Sequence, residues 1–307
     1  MKIGAAPVTE PQLQKGEDAR RAWVYTIAGV LCFSLGFPMT KLALAAFEPI
    51  TVTLARGIGA GVLALLIVWA TGMGAAPGAA RSSLYSAGAG IVLLFPFLSS
   101  IALTTLPVTH TAVVAAVLPL LTALFGVARG RERAGALFWV STLASAILVW
   151  LFCARGGPFQ GIRAADALLL VACVACAFGY AEGGVLARTH GGWKVICWIL
   201  VAFFPVCTGL GLLAGVCGLR FAHAAPGFSA WLGLLYITCS NQFLGFYFFY
   251  RGLALGGVAR MSQLQFFQPV FSVVAAAILV GEKLGIEVWL MLAALSACVA
   301  FGRRQVR

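Results

Sequence analysis

Apolar stretches of about 20 residues follow one another from Trp23 to Gly302, separated by short connections of glycine, proline and charged residues. That length is what an α-helix needs to cross a hydrocarbon layer about 30 Å thick. Inside such a layer only a helix or a closed barrel satisfies every backbone polar group. The chain is therefore expected to be an all-α integral membrane protein of ten transmembrane helices, over 23–41, 49–71, 84–105, 107–127, 135–153, 165–187, 193–217, 228–250, 257–280 and 286–302. Only 10% of the residues are charged and the mean hydropathy is +1.00, against about 25% charged in a soluble domain. No room is left for a soluble domain.

The net charge of +12 sits in short basic runs at the ends of apolar segments rather than in an aromatic and basic patch, so it reads as a topology signal and not as a nucleic-acid surface. With the N-terminus inside, fourteen Lys and Arg residues fall on the inner side and five on the outer, among them Lys41, Arg155, Arg163, Arg220 and Lys283. Residues 1–22 then form a cytoplasmic N-terminal tail and 303–307 a cytoplasmic C-terminal one. The nine cysteines are scattered and no His/Cys cluster has metal-ligand spacing, so neither metal nor cofactor is expected.

Comparing each residue with the one 150 positions later sets Leu103 over Leu253, Val108 over Val258, Pro119 over Pro269 and Glu132 over Glu282. Both copies read as a span with a central proline, followed by a glutamate just past the membrane edge. The chain divides into a first five-helix repeat at 23–153 and a second at 165–302. Five is odd, so the second copy enters the membrane with opposite orientation. Two inverted repeats can exchange inward-open and outward-open arrangements around one midplane site, and the helices carrying Pro119 and Pro269 are expected to line it together.

Three stretches resemble the ten-helix EamA-type branch of the drug/metabolite transporter superfamily, and the resemblance runs from about Val24 to Phe301. They are Phe33-Ser34-Leu35-Gly36-Phe37-Pro38-Met39-Thr40-Lys41, with Phe33 at the family's usual tryptophan; Pro49 followed by Leu54-Ala55-Arg56; and Pro269 followed by Gly281-Glu282-Lys283-Leu284. The first copy has Arg131-Glu132-Arg133 where the family usually carries glycine-glutamate. The resemblance implies transport, commonly export, of amino acids and related metabolites across the bacterial inner membrane.

Ionisable groups within spans are costly and mark cavities or partners; here they are Arg56, His110, Glu182 and Arg260. Glu182, in Phe178-Gly179-Tyr180-Ala181-Glu182-Gly183-Gly184, reads either as a substrate-amine or proton site beside a glycine-loosened helix, or as an acid paired with Arg188 or Arg260 near the inner face. Tyr180 accompanies it. Asn241 in span eight and Gln268 beside Pro269 are expected neutral substrate contacts, with Gln263 and Gln265 nearby. Arg260 and His110 are candidate gate or carboxylate-binding residues at opposite membrane faces, and Arg56 reads as structural. Pro38, Pro119 and Pro269 are expected helix breaks, and Glu132 and Glu282 caps or pairing groups at span ends.

The expected function is a secondary transporter, an exporter of amino acids or amino-acid-derived metabolites, an opine-type metallophore among them. Export of amphipathic cations, drugs or nucleoside-like metabolites is the alternative, and an intramembrane enzyme, starved of histidines outside loops, a remote one. No G-x-x-x-x-G-K-[ST] loop is present, so a gradient or the substrate itself drives the cycle. The expected partners are a small-molecule substrate and the lipid bilayer, with no nucleic acid; monomer and homodimer both stay open.

Overall fold

A computed structural model describes residues 10–130, 164–281, 283 and 285–302, with scattered residues between 135 and 148. Glu132 and Glu282 lie outside the described residues. Among those described, the chain is helical, with no strand and one isolated bridge between Phe47 and Ala222. Among the described residues, seven helices are long and apolar enough to cross a membrane.

The first span is α1 (Glu10–Ser34) and α2 (Gly36–Ala43), offset at Leu35. The expected tail of residues 1–22 is thus helical from Glu10 onward: the polar run Glu10 to Arg21 extends the apolar helix instead of leaving it. Helix α3 (Pro49–Thr71) coincides with its expected span. Pro49 starts it, where a missing N–H costs nothing, and Gly72 at φ +61° ends it in the left-handed conformation open to glycine. The third span begins earlier than expected, after a short 3₁₀ turn at Gly78–Ala80, and consists of α4 (Arg81–Gly88), a wide π turn (Ala89–Leu94) and α5 (Phe95–Thr105). The fourth is α6 (Val108–Ala115) and α7 (Leu118–Gly130).

Beyond these lie α8 (Ala164–His190) and α9 (Gly192–Val216). Next comes a continuous rod of α10 (Phe228–Tyr236), a second π turn (Ile237–Gly245) and α11 (Phe246–Gly256). Then α12 (Val258–Ser262), a 3₁₀ stretch (Gln263–Phe266) and α13 (Phe267–Leu279) form one broken span, and α14 (Ile286–Gly302) follows. The π turns, at 89–94 and 237–245, keep the 150-residue register, and the break at 116–117 corresponds to 266–267, where the 3₁₀ stretch at 263–266 ends.

The proline breaks have a common cause. Proline has no N–H and its ring crowds the carbonyl four residues earlier. Pro38, Pro119 and Pro269 each follow a break by two or three residues. The carbonyl that Pro38 displaces, Ser34 O, accepts a hydrogen bond from the Ser272 hydroxyl at 2.5 Å, tying α1 to α13. Hydroxyls elsewhere fold back on their own helix, as Thr26, Thr40 and Thr122 do onto carbonyls one turn earlier, which satisfies them where no water is present.

Helices pack closely through glycine. A Cβ on Gly29 would sit 2.9 Å from Gly245 O and Phe249 on α11, and one on Gly57 would sit 2.6 Å from the Cys207 sulfur on α9. Gly61 likewise admits Phe204, so the Gly57-to-Gly61 run is a packing face. Gly183 and Gly184 let Tyr250, Leu253 and Val258 approach α8, since a Cβ on Gly183 would fall 2.1 Å from the Tyr250 ring. These two glycines therefore serve close packing in an unbroken helix rather than a loosened one.

Candidate functional site

A small central cavity lies where the offset of α1 and α2 meets α3, α5, α8, the second π turn, α11 and α13. Its walls are Phe33, Gly36, Phe37, Thr40, Arg56, Phe95, Ser99, Tyr180, Asn241, Phe246 and Gln268, around about 20 Å³ of free space, room for roughly one water. One wall is aromatic: Tyr180 stacks on Phe33 at 5.8 Å and meets Phe246 edge-on at 5.5 Å. The opposite feature is a cation.

Arg56 is 5% exposed. Its Nε donates to Gln242 Oε1 at 2.6 Å and its Nη2 to Asn241 Oδ1 at 2.8 Å. The two amides are held in turn: Asn241 Nδ2 donates to Cys32 O and Gln242 Nε2 to Ile91 O, each at 3.4 Å. Backbone defects supply those acceptors. In the first π turn the Phe95 N–H reaches back to Gly90 O, so Ile91 O would need the N–H of residue 96, which is a proline and has none. Cys32 O lies just before the Leu35 offset and also accepts the Tyr236 hydroxyl at 3.1 Å. A Cβ on Gly36 would lie 2.5 Å from Asn241 Nδ2, so glycine is what lets the amide reach across.

A guanidinium has five N–H donors and stays charged; here two are committed to amide oxygens. Among the described residues no carboxylate lies within ion-pair distance of Arg56. A buried cation held only by neutral partners is incompletely compensated, and Arg56 is part of the cavity wall.

The sequence profile of the EamA-like transporter family matches residues 20–154 and again 163–301. A protein of Bacillus subtilis (strain 168) described as "Uncharacterized transporter YdeK" is 38% identical over 288 residues, covering 92% of this chain and 96% of the relative. The chain belongs to the EamA-like transporter family. A solved structure described as "Crystal structure of protein" superposes with a TM-score of 0.66 at 19% identity, over 92% of this chain and 97% of that one, and so shares the fold. This EamA-like chain is a multi-pass membrane protein and a transporter.

Of the residues expected to serve transport, Tyr180, Asn241 and Gln268 come together on the cavity wall. Glu182 does not line it. It is buried one half-turn beyond Tyr180 and pairs with Arg129 on α7, not with Arg188 or Arg260. Arg129, half-exposed, also lies over the Phe178 ring at 5.6 Å. His110 Nε2 meets Asp166 Oδ1 at 2.7 Å, at the opposite end of the same pair of spans. Arg260 is exposed on α12. Pro119 and Pro269 are both buried, but only the second broken span reaches the cavity, through Gln268; the first packs behind it against α8.

Sequence reasoning missed Arg56 as a cavity residue, and missed Asp166 and Arg129 as partners. For Arg56 a signal existed: it lies seven residues inside its span, about 10 Å along the axis, deep for a cation that reaches the interface by snorkelling.

Proposed function

We propose that this EamA-like transporter carries small carboxylate-bearing metabolites, amino acids and their derivatives foremost, across the bacterial inner membrane, by alternating access around the Arg56 cavity and in the direction of export. The observation that carries this reading is the buried Arg56 guanidinium, whose partners in the cavity are neutral amides. A carboxylate supplies the missing anion and accepts a bidentate fork. Asn241 and Gln268 then orient the polar part of the substrate, and Tyr180 with Phe33 and Phe246 covers its side chain. A cationic cargo fits poorly, because it brings a second positive charge next to Arg56 and the one buried acid nearby, Glu182, is engaged by Arg129.

Ten spans arranged as two inverted repeats fit this mechanism. Exchanging spans one with six, two with seven, three with eight and four with nine carries observed packing pairs onto observed packing pairs. The pair α1 and α11 becomes α8 and α5, the pair α7 and α12 becomes α13 and α6, and α3 with α9 maps onto itself. Gly57 touches Cys207, its own equivalent 150 residues on, as residues on a two-fold axis do. A cavity of about 20 Å³ is far below the few hundred Å³ of a ligand pocket, so binding requires the halves to part. Glu182 with Arg129 and His110 with Asp166 act as latches at opposite ends of spans four and six, and exposed Arg260 draws anions to one mouth. The termini lie in the cytoplasm.

Ligand-dependent thermal stabilisation of the purified protein tests the reading, since a ligand that binds only the folded state raises its stability by mass action. A panel of amino acids, amino-acid conjugates and lipophilic cations is measured. Stabilisation by carboxylate-bearing members is expected; stabilisation by cations alone moves the assignment to a cation exporter.

A further inference from the structure

Span nine carries three glutamines, and only Gln268 belongs to the cavity. Gln263 and Gln265, in the 3₁₀ stretch before it, are 3% and 1% exposed. All four of their amide atoms lack a hydrogen-bond partner among the described residues. Glutamine is not needed there for packing: the corresponding positions of the first copy, 150 residues earlier, are Val113 and Ala115, both buried and apolar. Unpaired amides in a membrane interior are unfavourable in the packed state, so their polarity is used in another one.

The order along the chain is informative. Arg260 is exposed, Gln263 and Gln265 follow within two turns, and Gln268 faces the cavity. From Gln263 to Gln268 is about 8–10 Å along the axis. The 3₁₀ stretch packs on α1, α7, α12, α13 and α14, and 3₁₀ segments inside a helix mark places that yield.

We infer that Gln263 and Gln265 line a second, transient polar site, the passage by which the cavity opens at the Arg260 end when span nine parts from spans one and four. Its ligands are water and the small polar solute itself. A neutral amide offers both a donor and an acceptor, so it can pass a zwitterion's two ends along without trapping either. The inference rests on the proposed transport through the central cavity, but its test does not require the substrate.

Single cysteines replace Gln263, Gln265, Val113, Ala115 or Arg260 in a background lacking the native nine. The reconstituted protein is treated with a membrane-impermeant, charged methanethiosulfonate from either side. The cysteines at 263 and 265 should react at least tenfold faster than those at 113 and 115, and from the side at which the cysteine at 260 reacts. Equal rates at the four buried positions, or faster reaction from the opposite side, overturn the passage. Should the cysteine-free background fail to fold, hydrogen exchange in the unmodified protein decides: amides over 263–266 should exchange at least tenfold faster than those over 113–116, and equal protection overturns the inference. Silent cysteines combined with loss of carboxylate binding in Arg56→Met remove the passage alone. Reactive cysteines with unchanged binding in that variant remove the carboxylate reading alone.

Discussion

Replacing Arg56 by methionine keeps a long flexible side chain and deletes the cation that anchors the proposed substrate. Truncating one side of a buried, hydrogen-bonded charge pair costs about 2–5 kcal/mol. The cavity must admit water as it opens, so the lower end applies; about 2 kcal/mol weakens carboxylate binding about 30-fold. The fold itself should tolerate the change. Losing the donors to Asn241 Oδ1 and Gln242 Oε1 costs about 1–3 kcal/mol for each oxygen left unpaired, while relief of the cation's desolvation offsets part of it. Arg56→Lys keeps the charge but not the planar fork, and should fall between wild type and Arg56→Met. Equilibrium binding of a radiolabelled amino acid that stabilises the wild type, alongside its methyl ester, provides the assay. The acid should lose about 30-fold in affinity and the ester, which lacks the anion, should bind weakly and equally to both proteins. A monodisperse Arg56→Met protein that binds the acid within about threefold of wild type, less than 1 kcal/mol, would falsify the anchoring role.

Three further outcomes follow from the same geometry. Gly36→Ala pushes a Cβ to 2.5 Å from Asn241 Nδ2, so acid binding should weaken about tenfold, the usual 1–3 kcal/mol of overpacking falling on the site rather than on the fold; unchanged affinity with an intact melting point argues against the amide clamp. Glu182→Gln breaks a pair whose arginine is half-exposed, so stability should fall by about 1 kcal/mol while substrate affinity stays near wild type; loss of binding at unchanged stability would return Glu182 to the substrate site. Single cysteines at 129 and 283 should label from the cytoplasmic and periplasmic faces respectively, and labelling of both from one side contradicts the inversion of the repeats.

The helices were readable because a span's length and apolarity are properties of a contiguous stretch, and α3 runs from Pro49 to Thr71 as expected. The breaks before Pro38, Pro119 and Pro269 were readable for the same local reason: proline removes its own donor wherever it stands. Tyr180, Asn241 and Gln268 were recognisable as polar groups in apolar surroundings. What hid Arg56 was distance in sequence. Its partners lie 185 and 186 residues away, and its depth in the span, the one local sign that it does not snorkel to the interface, does not say which groups it meets. Asp166 and Arg129 were obscured differently: each sits at a helix end, where charge is ordinary, and only packing of spans four and six brings them to His110 and Glu182. Gln263 and Gln265 were visible as residues but not as a conflict, which appears only once their burial and their lack of partners among the described residues are known together.

Counterflow in proteoliposomes, comparing amino acids with the amines left when their carboxylates are removed, tests the central claim most directly. Vesicles loaded with unlabelled amino acid should accumulate the labelled acid transiently, and amines of the same side chain should neither accumulate nor drive exchange. Accumulation of the amines with no exchange of the acids would contradict a carboxylate held by Arg56.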